Sequence, residues 1–346
     1  VVCRRQRQMC IRDSLWKESG TKCINHKNTH NIIKLIRYIC SFLKIETIII
    51  TETNLPEKEN LSYFGKNDEA NWIYNFSLAP LLVYSLLFET STKITKWSKN
   101  FPKTQKNNNY LNFLASHDGI GMRPIEGILE SNIKRKFYKR LKKNGGEFSF
   151  RKIKGKTKKV YEANITLFNA FKVSDYDRKG QFGFERYFAA HSIMMSFDGV
   201  PAIYFNSIFG NSNDNSKFII SGNKRDLNRY RWNRIKLEKH LQNKNSKQAK
   251  YYKKMTNLLI LRNKQKAFHP NALRITLDVG PKIFGIKRLS VDKKQSIYCY
   301  TNMTSSNTKI NLNKEILKRK NILSSNLNIN GNILELLPFQ TVWLSN

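Results

Sequence analysis

The chain has 346 residues and a mass of 40.6 kDa, with 40% hydrophobic and 12% aromatic residues, enough to bury a large core and too much for a disordered tail. Its 62 Lys+Arg against 25 Asp+Glu give a formal charge of +37. A polyanionic partner would explain that charge, but so would the Lys-, Asn- and Ile-rich usage of an AT-rich coding sequence, and no helix-turn-helix, zinc-finger or RNA-motif signature accompanies it, so nucleic acid is not expected as a partner.

Residues 1–14, VVCRRQRQMCIRDS, have neither helical nor strand periodicity and no signal-peptide anatomy. The stretch from Arg4 to Ser14 back-translates to a sequence similar to the adapter of a transposon-based sequencing library. We therefore expect the protein proper to begin near Leu15 as the C-terminal part of a longer chain, and we set Cys3, Cys10 and Asp13 aside. That leaves Cys23, Cys40 and Cys299 with no CxxC, a usage that fits a reducing cytoplasm. The apolar stretch 78–88 is broken by Pro80 and too short to span a bilayer, so no membrane partner is expected.

From residue 15 onward strands and helices alternate. Helical spacing of Ile32, Ile33, Ile36, Ile39, Phe42 and Leu43 predicts a helix over 29–43 with one buried stripe, capped by Asn28 or Thr29. Just before it Cys23, His26 and His30 imitate half of a zinc site without a matching second pair, so no metal is expected. The β-branched run 45–51 reads as a parallel strand that delivers Glu52 at its end. Strands are expected at 72–76, 111–116 and 199–206, with helices opening at Pro80, including 187–197, and running from 250 to 268. The third strand leads into Ser116-His117-Asp118 and then glycines, so a carboxylate and an imidazole emerge at a strand end. That is where α/β barrels hold their chemistry, and two strand-end carboxylates, Glu52 and Asp118, suggest one acid/base site.

The order is interrupted at 119–180, far longer than an ordinary connection between a strand and its helix. It carries a basic helix over 132–143, a Gly145-Gly146 turn and alternating segments near 148–153 and 160–168. Beyond His269-Pro270 the helical spacing gives way to short alternating segments at 283–288, 296–300, 308–312, 333–337 and 341–344 between Asn, Ser and Gly turns. The expected fold class is α/β: the C-terminal half of a (β/α)8 barrel over 15–118 and 181–270, an inserted lid over 119–180, and a small antiparallel β domain over 271–346.

Several stretches, in order, resemble the α-amylase superfamily, glycoside hydrolase family 13, in its sucrose phosphorylase and glucosylglycerate phosphorylase branch. ASHDGIG is similar to the seventh-strand motif, TETNLPEKENLSYFG to the fifth-strand region, WIYNFSLAPLL to the sixth and GVPAIYFNS to the eighth, while YEANITLFNA and RDLNRYRW resemble active-site loops. The similarity runs from residue 15 to about 270.

The resemblance implies a retaining α-glucoside phosphorylase with no cofactor, inorganic phosphate as co-substrate and a small α-glucoside as partner; a glucosidase or transglucosidase of the same family is the alternative. By position, Glu52 would be the general acid/base and Asp118 the carboxylate that grips the sugar hydroxyls. His117 would hold the glucosyl unit and Arg229 would pair with a carboxylate or hydroxyl, while Tyr161 and Glu162 would lie where the attacking phosphate or the acceptor binds. The branch that uses sucrose usually carries Gln where this chain has Glu162, which favours the glucosylglycerate type. The family nucleophile, the Asp of an Arg-x-Asp-Ala stretch, has no counterpart before LWKE, so this chain by itself is expected to be inactive. The oligomeric state is not expected to be legible.

Overall fold

The computed structural model describes residues 15–346 except 22, 45, 105–106, 153–157 and 325–326. The adapter-like segment 1–14, the start of the strand expected at 45–51 and the end of that expected at 148–153 lie outside the described residues. Short strands alternate with helices as expected. β1 (Ile50–Thr51), β2 (Trp72–Asn75) and β3 (Asn109–Asn112) are followed by the insertion with β4 (Ile120–Gly121), β5 (Glu147–Lys152) and β6 (Lys158–Asn164), and then by β7 (Val200–Pro201). β1, β2, β3 and β7 pair in parallel in that order, whereas the insertion makes its own antiparallel sheet, β4-β6-β5.

Polar side chains tie the parallel sheet together inside. Asn75 Nδ2 donates to Asn112 Oδ1 at 2.9 Å, and Asn112 Nδ2 donates to the Asp198 carbonyl at 2.7 Å, so each buried amide gains a partner on the next element. Gly199, which leads into β7, has φ +100°, and a Cβ there would stand 2.5 Å from the Tyr110 carbonyl. Only glycine allows β7 to approach β3 this closely. Packed on the sheet is the helix Leu78–Leu87, whose ten residues are all buried; Pro80 falls in its first turn, where no intrahelical N–H bond is lost.

The first helix, Lys27–Phe42, differs from its expected role. Its cap is His26, whose ring nitrogen accepts from the Asn28 N–H, and only Thr29 and Ile33 are buried. Ile36, Ile39, Phe42 and Leu43 are exposed, as are Ile48 and Ile50. The reason is the sheet: β1 is an edge strand among the described residues, so the apolar run 46–51 and the helix stripe have no neighbouring layer there. Cys23, His26 and His30 assemble no metal centre among the described residues. Instead His30 Nδ1 lies 2.6 Å from the buried Glu69 carboxylate, its Nε2 lies 2.8 Å from Asn25 Oδ1, and its ring stacks on Tyr63.

The C-terminal segment contains β8 (Leu273–Leu277), β9 (Ile283–Leu289), β10 (Ser296–Asn302), β11 (Thr308–Asn311), β12 (Lys320–Asn321), β13 (Asn328–Asn330), β14 (Ile333–Leu336) and β15 (Thr341–Ser345). They form two antiparallel sheets, β12-β15-β10-β9-β8 and β11-β14-β13. Strand alternation divides β15 between two cores: Trp343 joins the core of the parallel sheet, while Val342 and Leu344 join the core between the two β sheets. The two units thereby share a buried wall. No helix among the described residues is long and apolar enough to cross a membrane.

Candidate active site at the strand ends

Glu52 follows the last residue of β1, and Asp118 lies in the turn beyond the end of β3. The two strands are separated by β2 alone, so their ends stand about 10 Å apart at the backbone. The turn that carries Asp118 is fixed locally by Ser116, whose hydroxyl accepts the Asp118 N–H at 3.1 Å. It is fixed from across the site by Asn228, whose Nδ2 donates to the carbonyls of Ser116 and Asp118 at 3.1 and 2.5 Å. Behind Asn228, the Tyr204 hydroxyl donates to its carbonyl at 2.9 Å, linking the segment that follows β7 to the same turn.

Two guanidinium groups converge on the Asp118 carboxylate. Arg225 Nη1 lies 2.9 Å and Arg229 Nη2 3.1 Å from the same oxygen, Oδ1, while His117 Nε2 is 3.5 Å from it. Arg229 also donates through Nε to the His117 carbonyl at 2.7 Å, so one side chain holds both residues of the motif. The Asp118 side chain is only 14% exposed, whereas that of His117 is 56% exposed.

Arg225 has a second carboxylate. Its Nε and Nη2 donate to the two Glu162 oxygens at 2.9 and 3.1 Å, a bidentate pair. Glu162 sits on β6 opposite Gly121 of β4 and is 4% exposed at the side chain. Burial works against the Arg225 charge, but Glu162 and then Asp118 outweigh it and hold the guanidinium above its ordinary pKa. Asp118, Glu162, Arg225 and Arg229 thus match two carboxyl groups with two guanidinium groups. Lys224, next in chain, donates to the Phe148 carbonyl at 2.7 Å and anchors the 3₁₀ turn Lys224–Asn228 to β5.

The loop after β1 reaches the insertion as well. Asn54 Nδ2 is 3.4 Å from the Tyr161 carbonyl, which also accepts the Met122 N–H at 2.9 Å. A Cβ at Gly121 would come within 2.7 Å of Asn54 Oδ1, so a larger residue there would have to displace the Asn54 side chain. Glu52, Asp118, Tyr161 and Glu162 are therefore on segments that touch one another. The structure joins His117, Asp118, Arg229 and Glu162 in one network through Arg225, a residue that sequence reasoning passed over. Its signal was its place at the head of RDLNRYRW, the stretch that resembles an active-site loop.

The chain is 33% identical over 336 residues, 95% of its length, to a glucosylglycerate phosphorylase of Escherichia coli (strain K12), and 33% identical over 290 residues to one from Spirochaeta thermophila. The chain belongs to the sucrose and glucosylglycerate phosphorylase branch of glycoside hydrolase family 13. Its fold agrees with that of the family. A sucrose 6F-phosphate phosphorylase from Thermoanaerobacter thermosaccharolyticum superimposes with a TM-score of 0.70 over 93% of this chain and 58% of that one, at 17% identity. The α-amylase from H. orenii superimposes with a TM-score of 0.60 over 94% of this chain and 59% of that one, at 14% identity. No protein-family profile matches the chain. This family member spans about half the length of the curated relatives it matches, 58% and 49% for the two named.

Proposed function

We propose that the whole protein is a retaining α-glucoside phosphorylase that transfers a glucosyl unit to inorganic phosphate and releases α-glucose 1-phosphate. The observation that carries this reading is the strand-end carboxylate Asp118 held by Arg225 and Arg229 beside His117, in a chain a third identical to glucosylglycerate phosphorylases. Asp118 accepts hydrogen bonds from sugar hydroxyls and favours the oxocarbenium-like transition state. His117 holds the glucosyl unit, and Arg229 fixes the orientation of both. Glu52 gives its proton to the leaving oxygen and takes one back when phosphate attacks the glycosyl intermediate.

Phosphate and an anionic acceptor need an acceptor side that is not negative. Glu162 alone would repel them; its bidentate pairing with Arg225 removes that repulsion, which supports a role for Tyr161 and Glu162 in shaping rather than charging this region. The chemistry is that of a small, neutral sugar beside a small anion, with no metal or organic cofactor in any step. In this reading the four parallel strands are part of an eight-stranded barrel, the insertion is its lid, and the C-terminal sheets cap it. The covalent step uses the Asp of an Arg-x-Asp-Ala stretch, so the 346 residues alone bind without turning over.

The test is an assay of the protein joined to its upstream reading frame, with α-glucosides in the presence and absence of phosphate. Phosphate-dependent release of α-glucose 1-phosphate, lowered about 10²- to 10⁴-fold by Glu52→Gln, is the expected result. Release of free glucose at a rate indifferent to phosphate would instead favour a glucosidase or transglucosidase. That second reading draws on the chain's 27% identity over 112 residues to a trehalose synthase of Thermus thermophilus. Turnover by the 346 residues alone would overturn the assignment of the nucleophile.

A further inference from the structure

Among the described residues, Arg123 stands near the site with no ion pair to a carboxylate. Arg123 opens the 3₁₀ turn Arg123–Ile125, directly beyond β4, and its backbone is pinned by the buried Pro124 and Ile125. It is half-buried, and its Nε is shielded from solvent without a hydrogen-bond partner. The carboxylate that could neutralise it is already engaged: both oxygens of Glu126 accept from Arg151 Nη2 at 3.0 Å. Burial and then the neighbouring Arg151 charge push the Arg123 pKa down, partly offset by Glu59 and Glu126 at longer range. A half-buried guanidinium left without an anion costs stability, and a bound oxyanion would recover that cost.

Its position gives the ligand a location. The preceding residue, Met122, donates its N–H to the Tyr161 carbonyl, and the same carbonyl accepts from Asn54, two residues beyond Glu52. The Arg123 charge also feels the Tyr161 side chain. Arg123 therefore stands where the loop that carries the acid/base meets the hairpin that carries Tyr161, away from the Asp118 cluster that Arg225 and Arg229 neutralise.

We propose that Arg123 is the specificity-determining residue that receives the oxyanion of the second substrate, a compact carboxylate or phosphate, through its planar pair of donors. This rests on the phosphorylase reading and adds to it the residue that selects an anionic acceptor over a neutral one. No covalent step is involved: the guanidinium stays protonated, and the oxyanion replaces water at its exposed edge.

The experiment is isothermal titration of the 346-residue chain, at fixed ionic strength, with methyl α-glucoside, glycerate and inorganic phosphate in separate arms. Arg123→Gln should weaken glycerate and phosphate about tenfold to a hundredfold and leave the neutral sugar unchanged, with Arg123→Lys recovering part of the loss. Weakening of glycerate alone assigns the group to the acceptor carboxylate, and weakening of phosphate alone assigns it to phosphate. Unchanged affinity for both anions in Arg123→Gln would overturn the inference, as would a wild-type chain that binds the sugar and neither anion. If the sugar does not bind while the anions still depend on Arg123, the phosphorylase reading fails and the anion site stands. Thermal melting of each variant separates lost binding from lost folding, and the lysine variant keeps the test open if the glutamine variant is unstable.

Discussion

Asp118 and Asp198 each sit beside arginine, in settings that differ in one respect: how much of the arginine is already used. At the junction with the C-terminal sheets, Arg274 Nε donates to Asp198 at 2.6 Å with side chains 2% and 1% exposed. Its remaining donors go to Ser98, Thr276 and the Phe101 carbonyl. Close by, Arg288 donates to the carbonyls of Ser196, His269 and Ala272, and Arg262 to those of Met195, Gly199 and Phe268. Burial lowers the Arg262 and Arg288 pKa values to about 10, still charged at neutral pH. At the strand ends, Arg225 and Arg229 keep 36% and 30% of their side chains exposed. The difference separates scaffold from strand end: buried guanidinium groups spent on carbonyls and a buried carboxylate tie elements together, whereas the open ones hold the Asp118 carboxylate and keep part of their surface in solvent.

The largest effect should come from breaking the buried set. Asp198→Ala leaves Arg274 as a buried, uncompensated charge, and urea unfolding should show a loss of about 3–5 kcal/mol. A loss below about 1 kcal/mol would erase the distinction, because it would place this pair with ordinary surface ion pairs.

The same interior contains a neutral group that makes stability depend on pH. His191 is buried in the helix Gly183–Ser196, which also supplies the Ser196 carbonyl to Arg288, and its Nδ1 lies 2.8 Å from the Tyr187 carbonyl. Burial pushes its pKa down to about 4. The unfolded imidazole takes a proton near 6.5, so stability is full above pH 7 and falls as pH drops toward 4, by about 3 kcal/mol in all. Urea unfolding at pH 7 and pH 4.5 should show most of that loss in the wild type and a smaller one in His191→Gln. Equal pH dependence in both would contradict it.

The smallest stability effect belongs to the open set. Arg229→Gln leaves Asp118 paired with Arg225, so melting should change by less than about 1 kcal/mol. Binding of methyl α-glucoside should nonetheless weaken about tenfold, read by titration, because the Asp118 carboxylate and the His117 backbone lose their shared anchor. A large loss of stability with intact sugar binding would move Arg229 into the scaffold class.

These two regions were unequally legible in the sequence. The strand-end carboxylates were visible because an apolar run that stops at a polar residue and glycines has a single geometric meaning in a parallel sheet. Arg225 opens the RDLNRYRW stretch, but its pairing was not visible, since that is set by β6 and the Asp118 turn, 63 and 107 positions away in the chain. β8 was missed for a sharper reason: in Leu273–Leu277 the hydrophobic pattern is inverted. Arg274 points into the core, while Leu273 and Ile275 are exposed, because the Asp198 partner makes an inward arginine favourable. The helix Lys27–Phe42 misled in the opposite direction. Its apolar stripe is real, but burial also needs a neighbouring layer, which no local pattern supplies.

The most direct measurement of the central claim is the affinity of the 346-residue chain for methyl α-glucoside, by titration calorimetry, in the wild type and in Asp118→Ala. If Asp118 grips the glucosyl unit, the wild type binds and the variant loses affinity at least about a hundredfold while melting cooperatively. Equal affinity in a folded Asp118→Ala variant would contradict the account, because the carboxylate that two arginines hold in place would then have no part in sugar recognition.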